Sequence, residues 1–245
     1  MRTGQLARRN LKSLLRDPLS LGLALVLPVG MLLILIAVGN AVGETEAPWM
    51  TATVLTPGIA LFGYVMLMFS SAMALSRDRD SALLDRMITT PVSASDFIAG
   101  YSLPYLPVAL AQTVVLFVIG TFFGLVMVGS VGLVLVVLGL MAVFYIALGM
   151  IFGTTLTVNQ VSGAYSAVLL LTIFGGAWID LSALGGAFEA VANLFPFAHA
   201  LDATRAVMAH GAGLGEIASD LAWVIGYTLA AAAAAVWLFR RQMIR

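Results

Sequence analysis

Residues 131–156 read VGLVLVVLGLMAVFYIALGMIFGTTL, a run without a single charged side chain. A membrane-spanning helix needs about 20 consecutive apolar residues, so this stretch predicts one crossing of a bilayer. Of the 245 residues in the chain, 61% are hydrophobic and 10% are charged, and the mean hydropathy is +1.04. Soluble domains average about 45–50% apolar and about 25% charged residues. The composition therefore predicts an integral membrane protein, and it excludes a soluble enzyme and a nucleic-acid-binding face.

Similar apolar runs on either side of this stretch predict an all-α protein with six membrane-spanning helices. Pro104 and Pro107 should kink the third helix near its start, because proline removes a backbone hydrogen bond. A short polar turn at 157–162 should separate the fourth helix from the fifth. Together the segments are expected to form one transmembrane domain, 1–245. The predicted spans cover residues 19–39, 51–75, 98–125, 131–156, 163–179 and 217–239.

The longest stretch between two spans is residues 180–216. Pro196 divides it into two short helical pieces, 187–195 and 198–210. Such pieces are typical of a re-entrant or interfacial hairpin, in which the backbone satisfies its own hydrogen bonds.

The basic residues predict the orientation of the chain. With six spans and both termini on the same side, eleven of the twelve Lys and Arg residues fall on that side. Only Arg205, in the hairpin, falls on the other side. Loops rich in Lys and Arg remain in the cytoplasm. We therefore expect cytoplasmic termini, a cytoplasmic loop at 77–96 and an external hairpin at 180–216.

The N-terminal segment, 1–17, has the pattern of an amphipathic helix lying in the membrane interface. Its apolar face carries Ala7, Leu11, Leu14 and Leu15. Its basic face carries Arg9, Lys12 and Arg16. These basic side chains would contact anionic lipid headgroups. A charged flank that only sets the topology would explain the same residues.

The chain has few residues capable of chemistry. It has no cysteine, which excludes disulfides, thiolate metal sites and cysteine nucleophiles. Its only lysine, Lys12, follows Leu11, whereas the phosphate-binding loop of an ATPase needs a glycine before its lysine. Work driven by ATP must therefore be powered by a separate polypeptide. We expect this chain to bind no cofactor or metal of its own.

The spans also lack Asp, Glu, Lys and Arg at their centres. This argues against an ion-coupled transporter, although backbone carbonyls could still hold sodium. An intramembrane hydrolase with Ser162 as nucleophile is a further alternative, but His199 and His210 fall in the external hairpin. Loss of activity in Ser162→Ala would support that alternative. Apolar, kinked spans suit a path for an amphiphilic substrate, and they equally suit helices that only face lipid.

The loop at 77–96 is the most informative segment. Asp80 or Ser81 can cap a short helix there, and Pro91 ends it. The apolar stripe of this helix consists of Leu83, Leu84, Met87 and Ile88. The helix could dock into a groove of a partner protein, or it could only link two spans. After it, residues 93–96 have the spacing of a capping box for the third span.

The sequence of this loop resembles that of a known family. Residues 84–93, LDRMITTPVS, are similar to the L-E-R-L-L-x-T-P-V-S signature of the permeases of type-2 ATP-binding-cassette (ABC) transporters. Segments 11–28, 103–105 and 195–205 resemble further parts of the same family in the same order, the last with the pattern P-x-x-x-x-x-D-x-x-R. Four such segments together with a matching topology make the resemblance specific.

The resemblance implies a bacterial exporter permease of the inner (plasma) membrane. Its partners would be separate P-loop ATPase subunits, which hold ATP and Mg²⁺, and a second permease subunit in a homodimer or heterodimer. The loop would dock on the ATPase through Arg79, Leu83, Leu84, Asp85, Arg86, Met87, Thr90 and Pro91, helped by the interfacial helix. A substrate path along the second and fifth spans would include Phe62, Met66, Phe69, Tyr165, Thr172 and Phe174. The hairpin would contribute Pro196, Asp202 and Arg205.

Two positions depart from the family pattern. Asp85 stands where the family has glutamate, so the same charge is carried on a shorter side chain. The S-G-x-x-x-P usual at the end of the fifth span is replaced by residues 175–180, GGAWID, without the proline. We therefore expect the external gate to differ in shape.

These observations predict an ATP-driven exporter of a small amphiphilic compound, such as a drug or antibiotic, that works by alternating access. Export of a lipid-linked polysaccharide or of sodium is an alternative within the same family. A polysaccharide exporter should have a wide channel lined by aromatic residues, and only 9% of residues here are aromatic. The chain could also be a membrane anchor or assembly subunit that docks a partner without transport.

Overall fold

The computed structural model describes residues 3–43, 47–79, 93–178 and 186–243, and within these ranges it contains helices and no strands. The predicted all-α fold is confirmed. The α-helices of the described residues are α1 (Thr3–Leu15), α2 (Pro18–Val42), α3 (Ala52–Arg79), α4 (Ala94–Ser102), α5 (Tyr105–Phe122), α6 (Val131–Thr155), α7 (Val158–Thr172), α8 (Gly186–Ala192), α9 (Pro196–His210) and α10 (Ala218–Met243). A short 3₁₀ helix (Pro48–Met50) precedes α3, and a π-helical segment (Ile173–Ala177) continues α7.

Among the described residues, six segments are long and apolar enough to cross a membrane, as predicted. They are α2, α3, α4 together with α5, α6, α7 with its π segment, and α10. Helix α1 contacts α4 at one end of this bundle, where α3 also ends. The hairpin helix α9 lies at the other end, where the Val128 amide donates to the Met208 carbonyl at 2.9 Å.

The fifth span begins at Val158 and not at residue 163. Residues 158–162 are therefore helical, and their prediction as part of a turn is wrong. Thr157 caps the helix in a capping box with Gln160, whose side-chain oxygen accepts the Thr157 amide at 3.1 Å. A capping box satisfies amides that have no partner within the helix. The polar residues at this position therefore start a helix instead of interrupting one.

The third span has the predicted cap and break. Ser93 Oγ accepts the Asp96 amide at 3.1 Å and so caps α4. Helix α4 ends at Ser102, and α5 begins at Tyr105, after Pro104. The kink follows from the proline, which cannot donate a backbone hydrogen bond.

The core lies between α3 and α6. A Cβ added to Gly149 would lie 2.6 Å from the Met68 carbonyl oxygen, and one added to Gly153 would lie 2.8 Å from the Ala72 carbonyl oxygen. Small residues let helix backbones approach closely within a membrane. These two glycines therefore set the distance between the second and fourth spans at the end where α3 leads into the loop.

The N-terminal helix is present, but its buried face differs from the predicted one. Leu6 and Leu14 are buried, whereas Leu15, which was predicted to share the apolar face, is 61% exposed. The face that contacts α4 includes the polar residue Asn10, whose side-chain amide donates to the Gly100 carbonyl at 3.1 Å. A pattern of apolar residues alone cannot identify a face that has a polar residue near its centre.

The two predicted pieces of the hairpin correspond to α8 and α9, and Pro196 occupies the first turn of α9. The predicted docking helix falls within residues 80–92, outside the described residues.

Candidate coupling site and substrate path

The ends of three helices meet at the side of the bundle that leads into residues 80–92. An Arg9 Nη2 donates to Asp78 Oδ2 at 2.5 Å, and the Tyr101 hydroxyl donates to the same oxygen at 2.5 Å. The Arg9 guanidinium also lies 5.8 Å from the centre of the Tyr101 ring. Asp78 thus connects α1, α3 and α4 through charge-assisted hydrogen bonds. We call Arg9, Asp78 and Tyr101 the cytoplasmic triad, after the side of the membrane on which the sequence predicts the loop at 77–96 to lie.

This contact corrects the predicted environment of Arg9. The side chain was expected to face lipid headgroups, but its guanidinium pairs with Asp78 of α3, and both side chains remain about one-third exposed (34% and 31%). Lys12 and Arg16 are exposed, as a basic face requires.

Helix α1 is held against α4 along its length. The Thr3 hydroxyl donates to Asp96 Oδ1 at 2.7 Å, near the start of both helices. Leu6 packs on Gly100, where an added Cβ would lie 2.7 Å from a Leu6 methyl carbon. Together with the amide of Asn10, these contacts attach the N-terminal helix to the start of the third span.

Arg79, the last residue of α3, binds the end of the fourth span. Its guanidinium donates to the Leu156 carbonyl at 2.8 Å and also to the Thr154 carbonyl. The Ser76 hydroxyl donates to the Leu156 carbonyl at 3.0 Å. A basic residue at the C-terminus of a helix satisfies carbonyls that lack a partner there. Arg79, which was predicted to contact an ATPase, therefore joins α3 to α6 within its own chain.

The other predicted docking residues lie outside the described residues, and their contacts stay a prediction. They are Leu83, Leu84, Asp85, Arg86, Met87, Thr90 and Pro91.

A cavity of about 260 Å³ opens beside the cytoplasmic triad. Helices α1, α2, α3, α4 and α5 all contribute to its wall, with Asp17 from the turn between α1 and α2. The wall combines apolar side chains, among them Leu23, Met66, Phe69 and Met73, with the polar or charged side chains of Asn10, Asp17, Arg77 and Asp78. Two of the residues predicted for the substrate path, Met66 and Phe69, belong to this wall.

Three of the predicted path residues come together between α3 and α7. The Tyr165 hydroxyl lies 3.2 Å from Met66 Sδ, and the centres of the Tyr165 and Phe69 rings are 4.9 Å apart. All three side chains are partly exposed. The second and fifth spans thus form one aromatic and thioether surface that continues from the cavity.

The remaining predicted path residues lie elsewhere. Phe62 is buried, and its ring centre is 5.7 Å from that of Trp178. Thr172 is fully buried, and its hydroxyl is hydrogen-bonded to the Tyr145 hydroxyl at 2.8 Å, so it faces the fourth span. Phe174 is 53% exposed on the outer surface of the π segment.

At the opposite end of the bundle, Arg205 of α9 joins the second and fifth spans. Its guanidinium donates to the Val54 carbonyl at 3.1 Å and to the Gly176 carbonyl at 2.9 Å. Gly176 has a φ of 95°, a conformation that favours glycine. A Cβ on Gly58 would lie 1.7 Å from the Ala177 carbonyl oxygen, so α3 and the π segment touch here. Asp202, one turn earlier in α9, is exposed.

Sequence reasoning missed Asp78, Tyr101 and Asn10. Asp78 lies between Arg77 and Arg79 near the end of a long apolar span, where a carboxylate can pair with a basic residue of a neighbouring helix. No local pattern identifies Arg9 as that partner, because the two residues are far apart in the chain.

Within the described residues there is no group of three or more His, Asp or Glu side chains arranged to hold a metal ion.

Comparison with known proteins gives the class of this molecule. The family model of the ABC-2 type transporter matches residues 1–209, and the chain belongs to that family. It is a membrane permease component of an ABC transporter, a class that works with an ATP-binding subunit. A comparison with curated proteins gives no match. The match to the family model confirms the predicted family and the permease role.

Proposed function

We propose that this permease exports a small amphiphilic compound from the cell, in a complex with a separate ATPase subunit and a second permease subunit. The observation that carries the proposal is the cavity beside the cytoplasmic triad. Its wall presents thioether and aromatic groups next to carboxylates and a guanidinium. An amphiphile has a matching apolar body and polar end, and ligand sites commonly combine apolar walls with a few polar groups.

The surface formed by Met66, Phe69 and Tyr165 supports a route from this cavity along the second and fifth spans. Drug-sized ligands occupy cavities of about 300–1,000 Å³, whereas this cavity measures about 260 Å³. A second permease subunit facing the same surface would enlarge the space. Leu170 and Leu171 of α7 are apolar and exposed, and they would contact the second subunit within the membrane.

The cytoplasmic triad and Arg79 supply a mechanical connection. In the chain, residues 80–92 follow Asp78 and Arg79 at the end of α3 and precede Ser93, which caps α4. A force on this loop would therefore act on α1, α4 and α6 through hydrogen bonds to charged groups. ATP binding by the partner would bias the permease between two packings of nearly equal free energy. In this proposal both termini are cytoplasmic and the membrane is the plasma membrane.

Purification of the complex tests the proposal. The tagged permease is purified from the cells that encode it together with any bound ATPase, the complex is reconstituted in lipid vesicles, and ATP hydrolysis is measured with candidate amphiphiles. We expect an ATPase to co-purify, and we expect at least one amphiphile to stimulate hydrolysis.

A variant that fills the cavity tests whether the cavity is the substrate site. Met73→Trp should abolish the stimulation while preserving basal hydrolysis, because Met73 lines the cavity. Leu229→Trp is the matched control, since Leu229 is 65% exposed on α10 and lies away from the cavity. Failure of any ATPase to co-purify would support an anchor instead, and undiminished stimulation in Met73→Trp would exclude the cavity as the substrate site.

A further inference from the structure

A further cavity, of about 230 Å³, lies between the third and fourth spans. Helices α5 and α6 form most of its wall, and α3 contributes Tyr64. Most of the lining side chains are apolar, and Thr113 of α5 adds a second hydroxyl group to that of Tyr64. This cavity shares no lining residue with the cavity beside the cytoplasmic triad. We call it the lateral cavity.

The lateral cavity opens towards the bilayer. Leu110 on its rim is 55% exposed, and Gly139 is exposed with open space where a Cβ would lie. Both residues belong to helices that cross the membrane. An apolar cavity of about 150 Å³ is large enough to bind benzene. The lateral cavity therefore has room for one aromatic ring with a short alkyl chain.

The two hydroxyl groups of the lateral cavity offer an acceptor and no free donor. The Thr113 hydroxyl donates its only hydrogen to the Ala109 carbonyl at 2.8 Å. The hydrogen bond between the Tyr64 and Thr113 hydroxyls must therefore use the hydrogen of Tyr64. Within the described part of the chain, the Tyr64 oxygen has no other hydrogen-bond partner. Its lone pairs can thus accept a hydrogen bond from a ligand.

A neighbouring contact holds this acceptor in place. The side-chain amide of Gln112 donates to the Ala60 carbonyl at 3.2 Å, one turn before Tyr64 on α3. A Cβ on Gly63 would lie 1.9 Å from Gln112 Nε2, so the glycine makes room for this amide. Tyr64 and Thr113 are 1% and 2% exposed. Two adjacent hydrogen bonds between α3 and α5 thus fix the polar part of the lateral cavity at membrane depth.

We propose that the lateral cavity binds a small, uncharged, apolar molecule with a hydroxyl group, such as an alkylphenol, that enters from the bilayer. The ligand hydroxyl donates to the Tyr64 oxygen, and the ring and alkyl chain lie among the leucine side chains. None of the described residues that line the cavity is charged, so an ionic ligand would leave its charge without a partner. Water is absent from the hydrocarbon region, so the hydrogen bond favours a phenol over a hydrocarbon of the same shape.

This site is separate from the proposed substrate path. Tyr64 contacts Thr113 of α5, whereas Met66 contacts Tyr165 of α7, so the two sites lie on different sides of α3. The inference therefore does not rest on the proposed function, and either can fail without the other.

Photolabelling tests whether the lateral cavity is occupied. The permease in lipid nanodiscs is irradiated with 4-butylphenol that carries a diazirine on its alkyl chain, and the labelled peptides are identified by mass spectrometry. We expect saturable labelling of α5 and α6. Unlabelled 4-propylphenol should displace the label at about a five- to tenfold lower mole fraction in the membrane than propylbenzene does, because the two compounds differ by one hydrogen bond.

Two variants separate the space from the hydrogen bond. Gly139→Leu should fill the lateral cavity and abolish the labelling of α5 and α6. Gly226→Leu is the matched control, since Gly226 also has open space around it but lies on α10. The double variant Tyr64→Phe with Thr113→Val replaces both hydroxyl groups by apolar groups of similar shape, a change that is nearly neutral for folding. In this variant we expect labelling to persist and propylphenol to lose its advantage over propylbenzene.

Label that excess propylphenol does not displace, or that persists in Gly139→Leu, would overturn the proposal. Equal displacement by the two compounds in the native protein, or an advantage of propylphenol that survives in the double variant, would refute the role of the Tyr64 oxygen. These measurements use neither an ATPase nor a transport assay. Failure of the proposed function would therefore leave their results unchanged.

Discussion

Exchanging the charges of Arg9 and Asp78 should restore the attachment of α1 to α3 that a single substitution at either residue weakens. Arg9→Gln leaves the Asp78 carboxylate with Tyr101 but without its cation, and Asp78→Asn leaves the Arg9 guanidinium without its anion. The double variant Arg9→Asp with Asp78→Arg recreates an ion pair of opposite direction between α1 and α3. We expect each single variant to loosen the N-terminal helix and the double variant to fasten it again.

The magnitude follows from the exposure of the pair. The two side chains are 34% and 31% exposed, so the pair lies between the surface and the interior. Exposed ion pairs contribute about 0.2–1 kcal/mol, and hydrogen bonds to charged groups contribute about 1.5–3 kcal/mol. We therefore expect a coupling energy of about 1–2 kcal/mol in a double-mutant cycle of Arg9→Gln, Asp78→Asn and their combination, measured by unfolding in detergent. The same energy corresponds to about a 5- to 30-fold change in the ratio of folded to unfolded protein.

Tyr101→Phe is the control, since it removes one hydrogen bond to Asp78 and leaves both charges in place. It should reduce the unfolding free energy less than Asp78→Asn does. A coupling energy near zero, or a charge-exchanged variant as uncoupled as the single variants, would refute the role given to this pair.

Three further predictions concern the core, the hairpin end of the bundle and the loop. Gly149→Ala should lower the unfolding free energy by about 1–3 kcal/mol, because the added Cβ would lie 2.6 Å from a carbonyl oxygen. Gly139→Ala, with open space around it on the same helix, should not lower it, and equal thermal unfolding of the two would contradict this packing. Arg205→Lys should speed amide hydrogen exchange in the π segment, because an ammonium group cannot hold two carbonyls in the planar geometry of a guanidinium; unchanged exchange would show that the bridge is dispensable. Arg86→Glu should abolish substrate-stimulated ATP hydrolysis with unchanged thermal unfolding, and normal transport in this variant would disprove docking through the loop.

The six spans could be predicted because each depends on its own composition. An uncharged run of more than 20 residues has few stable alternatives in a bilayer, and Pro104 breaks the third span wherever the neighbouring helices lie. Local capping also determined the start of the third span at Ser93. The same kind of local signal, Thr157 with Gln160, was present in the sequence, and reading those residues as a turn placed the start of the fifth span too late.

The cytoplasmic triad could not be predicted, because its contacts join residues distant in the chain. Arg9 belongs to the basic face of an isolated helix, and only the position of α3 brings Asp78 close enough to turn it inward. Thr172 shows the same limit: the fifth span was expected to line a path, but helix rotation turns this hydroxyl towards Tyr145. Composition predicts which segments cross the membrane, whereas the rotation of each helix depends on its neighbours.

The side of the membrane on which the loop lies tests the account most directly, because ATP is supplied from the cytoplasm. The cysteine-free chain allows single labels at Ser81→Cys in the loop and at Gly215→Cys in the hairpin. With a membrane-impermeant maleimide, we expect Gly215→Cys to react in intact spheroplasts and Ser81→Cys to react only in inside-out vesicles. Labelling of Ser81→Cys in intact spheroplasts would contradict the account.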